Sequence, residues 1–171
     1  KKIGMVFQNF ALMPHRSVID NIALPLEIRG VNKNQRYRRA EEILDIVELT
    51  GWGSKYAHEL SGGMQKRVGL ARAIAAEPEI IFFDEPTTGL DPILAGVIND
   101  LIREIVVEMG ATAMTITHDM SSVRAIADKV AMLHNGVIQW SGPISDIDQS
   151  GDPYLDQFIH GRAEGPIEAI R

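Results

Sequence analysis

The stretch Ile80-Ile81-Phe82-Phe83-Asp84-Glu85 decides the fold of this chain. Four consecutive apolar residues are typical of a strand that is buried on both faces, as in parallel sheets. Two carboxylates then follow at the carboxyl end of the strand, which is where open α/β sheets bind their ligands. Asp84 is suited to hold Mg²⁺, directly or through water. Glu85 is suited to orient or deprotonate an attacking water. Taken alone, the two acids also fit the end of a strand or the cap of the next helix.

Elements that alternate between strand and helix surround this stretch. The predicted strands are Ile3 to Phe7, Glu79 to Phe83, Thr112 to Thr117, and a pair between Val130 and Trp140 around Asn135-Gly136. The predicted helices are a short one capped by Ser17 and then 33–49, 64–77, 93–109 and 121–128. Pro25 and Gly30 should break up the region of this first helix. This order predicts an α/β fold with a mainly parallel sheet and an α-helical insertion at 9–77.

Length, charge and composition exclude several classes of protein. The 171 residues suit one ordinary domain, and 17 basic against 23 acidic residues give a net charge of −6. An acidic chain argues against nucleic-acid binding. The chain has no cysteine, which excludes a disulfide scaffold or a thiolate zinc site and fits a reducing compartment. No apolar run is long enough for a membrane span. The start, Lys1-Lys2-Ile3-Gly4, lacks Met and is no signal peptide, so we expect a chain cut from a longer one.

A second motif, Leu60-Ser61-Gly62-Gly63, stands at the start of a predicted helix. Serine is a good N-cap, and two glycines let a ligand approach the backbone closely. The free N–H groups of a helix start carry roughly half a positive charge. The motif therefore fits a phosphate site. An ordinary capped helix with a glycine hinge remains the alternative.

Two further polar residues complete an ordered set. His118 follows a predicted strand and is placed to donate a hydrogen bond to a phosphate oxygen, although a lone histidine is more often structural. Gln8 ends the first strand and is uninformative by itself. Asp84 lies 23 positions after Ser61, and His118 lies 34 positions after Asp84. Each residue falls at a predicted element boundary. The ordered set is therefore stronger evidence for a functional site than any of its members alone.

The ordered set resembles the ATP-binding cassette (ABC) ATPase family over essentially the whole chain. Leu60 to Gly63 is similar to the family's signature motif, and Ile80 to Glu85 to its Walker B strand. Gly89-Leu90-Asp91 is similar to the family's D-loop, His118 to its switch histidine, and Gln8 to its Q-loop. One departure is Met64, where many members carry glutamine; here glutamine follows at Gln65.

This resemblance implies roles for individual residues and for partners. In the family, two ATPase domains pair head to tail and hold each ATP between one domain's phosphate loop and the other's signature helix. The implied catalytic residues are Glu85 and His118. The implied nucleotide-binding residues are Gln8, Ser61, Gly62, Gly63, Gln65 and Asp91. The implied Mg²⁺ ligands are Asp84 and Gln8. The partners would be a second ATPase subunit and a transmembrane permease that docks on residues 9–17. The location would be peripheral, on the cytoplasmic face of the bacterial inner membrane.

The phosphate-binding loop G-x-x-x-x-G-K-[S/T] does not occur, because no glycine of the chain is followed by lysine. We expect a partial P-loop NTPase core that starts after this loop, and favour this over a degenerate copy because Glu85 and His118 are intact. By itself the chain should be inactive. The expected organisation is a core strand and Q-loop at 1–8, a helical subdomain at 9–77, the Walker B and switch core at 78–141, and a tail at 142–171.

The resemblance divides over the transported substrate. Ile3 to Gly30, and Phe7 to His15 above all, resembles the ATPases of glycine betaine and other quaternary-amine importers. The second half resembles Mla-type phospholipid transport ATPases, in Thr87 to Pro92, in Ile126 to Gly142 and in the tail from Asp156 to Pro166. The tail lies outside the shared motifs, so lipid transport is our first choice and amine import the second. A catalytically silent interaction module stays open because the phosphate loop is missing. A chromosome-type ABC ATPase is disfavoured because residues 8–61 hold no sustained heptads.

Overall fold

A three-stranded parallel sheet lies in the first of the two units into which the molecule divides. The structure is a computed structural model that describes residues 2–168. It separates into a first unit that ends at His118 and a second that begins at Asp119. The sheet of the first unit consists of β1 (Ile3–Val6), β2 (Ile80–Asp84) and β3 (Thr112–Ile116), in the order β1-β2-β3. Both pairings are parallel, which confirms the predicted α/β class.

Four helices accompany this sheet. They are α1 (Val18–Ile28), α2 (Lys33–Ile46), α3 (Gly62–Ile74) and α4 (Pro92–Met109), with a 3₁₀ turn at Ala57–Glu59. Local signals fix their ends: the Ser17 hydroxyl accepts a hydrogen bond from the Asp20 N–H at the start of α1, and Gly110 ends α4 in the left-handed region with φ 59°.

The prediction that Pro25 breaks the first helix is wrong, because α1 continues through Pro25 to Ile28. An interior proline costs about 3 kcal/mol. Packing offsets that cost: Val18 and Ile22 are fully buried on the core side of the helix.

The sheet is covered on one face only. Gly4, Ile81 and Phe83 alternate with exposed or half-buried neighbours, so the prediction that β2 is buried on both faces holds for a single face. In register, Met5 lies beside Phe82, and Phe82 beside Met114. The exposed apolar residues of the open face are Ile3, Met5, Met114 and Ile116, with exposed fractions between 43 % and 63 %.

We expect the 171-residue chain, studied alone, to self-associate through this open face at micromolar concentration. Replacing both Met5 and Met114 with lysine should shift the sedimentation profile towards monomer, since two charges would then flank Phe82. Val107→Lys, at an exposed apolar position of α4, is the matched control and should change nothing. A monodisperse unmodified chain would contradict this prediction.

The second unit combines a hairpin with two helices. Its elements are α5 (Met120–Ile126), β4 (Lys129–His134), β5 (Val137–Pro143), a 3₁₀ turn at Ile144–Gln149 and α6 (Pro153–His160). The Asn135-Gly136 turn has φ angles of 50° and 78°, so the predicted hairpin is confirmed. Met132, Ile147 and Leu155 form the centre of its core.

The tail contains a helix, α6, that was not predicted from the sequence. Asp152 caps this helix by accepting hydrogen bonds from Tyr154 and Leu155, and Gly161 ends it. The buried Gln157 side chain then holds the chain that follows, through backbone atoms of Arg162 and Ile167. The last residues of the predicted tail, 169–171, lie outside the described residues. Among residues 2–168, no helix combines the length and apolarity that a membrane crossing requires.

Candidate functional site

Glu85 leaves β2 in an unusual backbone conformation. Its φ is 46°, in the left-handed region, and its N–H donates to the Ile116 carbonyl at 2.9 Å. A glutamate keeps such a conformation only where its surroundings impose it. Because β2 and β3 run parallel with Asp84 beside Ile116, the residues that follow β3 come alongside Glu85.

Three side chains hold the Glu85 carboxylate. One oxygen, Oε1, lies 2.7 Å from His118 Nδ1. The other, Oε2, accepts hydrogen bonds from the hydroxyls of Thr88 at 2.9 Å and Thr117 at 3.2 Å. The Glu85 side chain is 17 % exposed, whereas that of His118 is 72 % exposed. The carboxylate is thus fixed at the carboxyl end of the sheet, and the histidine above it faces solvent.

These contacts set the protonation of Glu85. Partial burial opposes ionisation, but the hydrogen bonds from His118, Thr88 and Thr117 outweigh it and lower the pKa of Glu85 below its ordinary value. The carboxylate therefore stays ionised at neutral pH. Its contacts stabilise the fold above the pKa of the unfolded chain, and this stabilisation is lost as the pH falls through the lowered pKa.

Asp84 and Gln8 lie at the same edge of the sheet, at the ends of the adjacent strands β2 and β1. Asp84 is half-buried and Gln8 is exposed. Among the described residues, no group of three or more acidic or histidine side chains forms a complete metal cage. The donor set fits Mg²⁺ all the same, since this ion usually binds one or two protein oxygens and keeps phosphate and water as its other ligands.

The signature residues start α3 as predicted. Ser61 is the N-cap, and its hydroxyl accepts a hydrogen bond from the Met64 N–H at 3.3 Å. A Cβ added at Gly62 would meet no atom of the chain within 4 Å, and one added at Gly63 would meet only Leu94 of α4, at 3.9 Å. The helix start therefore opens onto free space beside the first turn of α4.

Gln65 and Asp91 make contacts inside the chain. The Gln65 amide nitrogen donates to the carbonyls of Ala57 at 2.9 Å and Leu60 at 3.3 Å. Both its hydrogens thus fix the loop before the signature helix. Asp91 caps α4 by accepting from the N–H groups of Ile93 and Leu94, both at 3.0 Å.

The chain after Gln8 is bound to the side of α3. Arg72 donates to the carbonyls of Phe10 at 2.6 Å and Ala11 at 2.7 Å. A Cβ added at Gly69 would lie 3.6 Å from the Phe10 Cβ. Phe10 is therefore half-buried against α3 and does not line an open groove. The exposed side chains of residues 9–17 include Ala11 and His15.

Thr88 and Thr117 were not predicted from the sequence as partners of Glu85. A signal for Thr117 was present: once the parallel register is known, Thr117 is the residue that comes beside Glu85. Thr88 belongs to the turn after β2, where its N–H also donates to the Glu85 carbonyl at 3.3 Å. No periodic pattern identifies such a turn contact before the turn is built.

Comparisons with known proteins agree with this geometry. The sequence model described as "ABC transporter" matches residues 1–88. The chain is 45 % identical to the methionine import ATP-binding protein MetN of Carboxydothermus hydrogenoformans over 147 residues, which are 86 % of this chain and 44 % of the relative. It is 44 % identical to the trimethylamine N-oxide transport system ATP-binding protein TmoW of Ruegeria pomeroyi over 138 residues, which are 81 % of this chain and 41 % of the relative. The chain thus spans about half the length of these curated relatives or less.

A solved structure shares the fold. The dimeric post-hydrolysis state of the ATP-binding cassette MJ0796, bound to ADP and Pi, matches with a TM-score of 0.74 and 34 % identity. The match covers 84 % of this chain and 63 % of that one. The fold is accordingly a partial P-loop NTPase core. Because the family model matches more than half of the chain, this chain belongs to the ABC transporter ATP-binding family.

Proposed function

We propose that this chain is part of the ATP-binding and ATP-hydrolysing subunit of a bacterial ABC importer. The observation that carries the proposal is the Glu85 carboxylate, held by His118, Thr88 and Thr117 directly after the Walker B strand. ATP would bind between two subunits paired head to tail, as the dimeric structural relative suggests.

In this mechanism Glu85 acts on the attacking water. The lowered pKa keeps the carboxylate ready to accept a hydrogen bond, and it also makes the group a weak base. Glu85 therefore orients the water first, and gains basicity only if its bonds to Thr88, Thr117 and His118 loosen. His118, exposed above it, would donate to the γ-phosphate.

The remaining residues bind the nucleotide and the ion. Asp84 and Gln8 would hold Mg²⁺, which when bound neutralises charge that develops on the phosphates. The open start of α3 at Ser61, Gly62 and Gly63 would receive the γ-phosphate of the nucleotide carried by the partner subunit. Asp91, capping α4 beside that opening, would face the same boundary between subunits.

The proposed substrate is a small zwitterionic solute of the amine or amino-acid type. The reported relatives are named for methionine import and trimethylamine N-oxide transport. Phospholipid transport, our first choice from the tail, finds no support in these names, and the tail itself forms α6. The amine alternative from Phe7 to His15 agrees with them better.

Substrate choice is tested with the complete transporter in proteoliposomes. Uptake of radiolabelled trimethylamine N-oxide, glycine betaine and methionine is measured beside extraction of labelled phospholipid. We expect ATP-dependent uptake of at least one solute and no lipid movement. Lipid extraction without solute uptake would overturn the choice. A subunit that neither binds nor hydrolyses ATP would instead favour the silent interaction module.

We further propose that residues 9–17, here called the docking segment, receive the permease. The subunit would then lie at the cytoplasmic face of the inner membrane, with the helical subdomain at 9–77 between the permease and the catalytic core at 78–141.

Charging the docking segment should release the subunit from its permease. Ala11→Asp and His15→Asp place acids on exposed positions, so we expect loss of co-purification and transport with unchanged ATP binding. Aspartate tolerates the left-handed backbone at Ala11, φ 46°. Val107→Asp on exposed α4 is the matched control. A retained complex with full transport in both variants would refute the docking role.

A further inference from the structure

Lys66 is a buried cation in the middle of the site. It belongs to α3, and its residue surface is only 4 % exposed. Its ammonium nitrogen lies 4.7 Å from the centre of the Phe10 ring and 3.5 Å from the Glu85 carbonyl oxygen. Burial lowers the pKa of Lys66, while the nearby negative charge of Glu85 opposes this shift.

The surroundings of the ammonium are otherwise apolar. The small cavity beside it is lined by Val6, Leu70, Phe83, Pro86, Ile98 and Ile102. A buried ammonium costs free energy that an apolar side chain of similar length would not. Packing alone therefore gives no reason for a lysine at this position. The contacts of its ammonium group with the Phe10 ring and the Glu85 carbonyl indicate a different role.

Lys66 and its two contacts, Phe10 and Glu85, come from three separate segments of the chain. Phe10 belongs to the docking segment, Lys66 to the signature helix, and Glu85 to the turn after the Walker B strand. Phe10 and Glu85 both have left-handed backbones, with φ of 56° and 46°. Such conformations persist only when neighbouring groups determine them. Lys66 contacts both residues, through a cation–π interaction on one side and a carbonyl on the other.

The Phe10 end of this contact is fixed to α3. Arg72 binds the Phe10 carbonyl at 2.6 Å, and the Phe10 backbone lies beside Gly69 of the helix. Because Lys66 and Arg72 both belong to α3, only a displacement of the docking segment relative to α3, which breaks the Arg72 contact, would move the ring away from the ammonium. Lys66 would then lose one of its two partners and change its contact with the Glu85 carbonyl.

We propose that Lys66 is a positioning residue that couples the docking segment to Glu85. The inference rests on the proposed function of both. While Phe10 covers the ammonium, Lys66 holds the Glu85 backbone and thus the direction of its carboxylate. Permease binding at residues 9–17 would act on hydrolysis through this contact.

The test compares ATP hydrolysis by the complete transporter in proteoliposomes, with and without substrate, with that of the ATPase subunit free of its permease. Lys66→Met keeps the length of the side chain and removes its charge. The measured quantity is the ratio of kcat with permease to kcat without permease. In Lys66→Met we expect this ratio to fall roughly 2- to 30-fold, with the KM for ATP unchanged. Lys66→Arg should restore part of the stimulation because it keeps a cation over the ring. Lys55→Met, at a half-exposed lysine, is the matched control.

A second variant keeps the lysine and removes the aromatic face. Phe10→Leu should reduce stimulation as Lys66→Met does, and the double variant should be no worse than either single one. Additive effects, or stimulation as in wild type with Lys66→Met, would overturn the inference. The Glu85→Gln variant separates a failure of the coupling role from a failure of the proposed function. If Glu85→Gln abolishes hydrolysis while Lys66→Met behaves as wild type, only the coupling role of Lys66 is wrong.

Discussion

Replacing Glu85 with glutamine should slow ATP hydrolysis by the complete transporter roughly 10²- to 10⁴-fold. Glutamine keeps the shape of the side chain and can still accept from Thr88 and Thr117, but it cannot accept a proton. Nucleotide should still bind, and an ATP-bound dimer should accumulate. Steady-state phosphate release and size-exclusion chromatography with ATP measure the two effects.

The control for this variant lies next to the opposite end of the same strand. Glu79→Gln replaces an exposed carboxylate just before the other end of β2 and should leave hydrolysis unchanged. Turnover of Glu85→Gln within a few-fold of wild type would show that the assignment of Glu85 is wrong.

Placing an acid at the start of the signature helix should be nearly as damaging. In Gly62→Asp the added Cβ meets no side chain or other segment within 4 Å, so the fold should survive. Its charge, however, opposes a phosphate at the helix N-terminus, and we expect hydrolysis to fall roughly 10²- to 10³-fold. Dimer formation with ATP should be lost, whereas each subunit should still bind ATP, as equilibrium dialysis would show.

Gly30→Asp serves as the matched glycine control. It also has open space around its Cβ position, and aspartate tolerates its positive φ of 75°. Loss of ATP binding by monomeric Gly62→Asp would argue that the signature helix serves its own nucleotide and not the partner's.

The cluster of Glu85 and His118 could be predicted from sequence because both residues stand at element boundaries. Each of them follows a strand, and the parallel sheet brings those strand ends together. The positions of Thr88 and Lys66 could not be predicted in the same way. Their roles depend on a turn conformation and on the packing of α3 against Phe10, and neither has a sequence period.

Propensity misled the prediction at two places in the fold. Pro25 does not end α1, because the buried residues Val18 and Ile22 fix the helix by tertiary packing. The apolar run of β2 indicated burial on both faces, but the side of the sheet that carries Met5 and Met114 is open. Hydropathy records which residues can be buried and does not tell what covers them.

A mixed dimer tests the central claim most directly. Two differently tagged subunits are co-expressed with the permease, the complete transporter is purified over both tags, and its ATPase activity is compared in two arrangements. If Glu85 of one subunit works with Ser61 to Gly63 of the other, Glu85→Gln and Gly62→Asp on separate subunits leave one site intact, and about half of the wild-type turnover should remain. With both substitutions on the same subunit, both sites are damaged and turnover should be lost. Equal activity in the two arrangements would contradict the account.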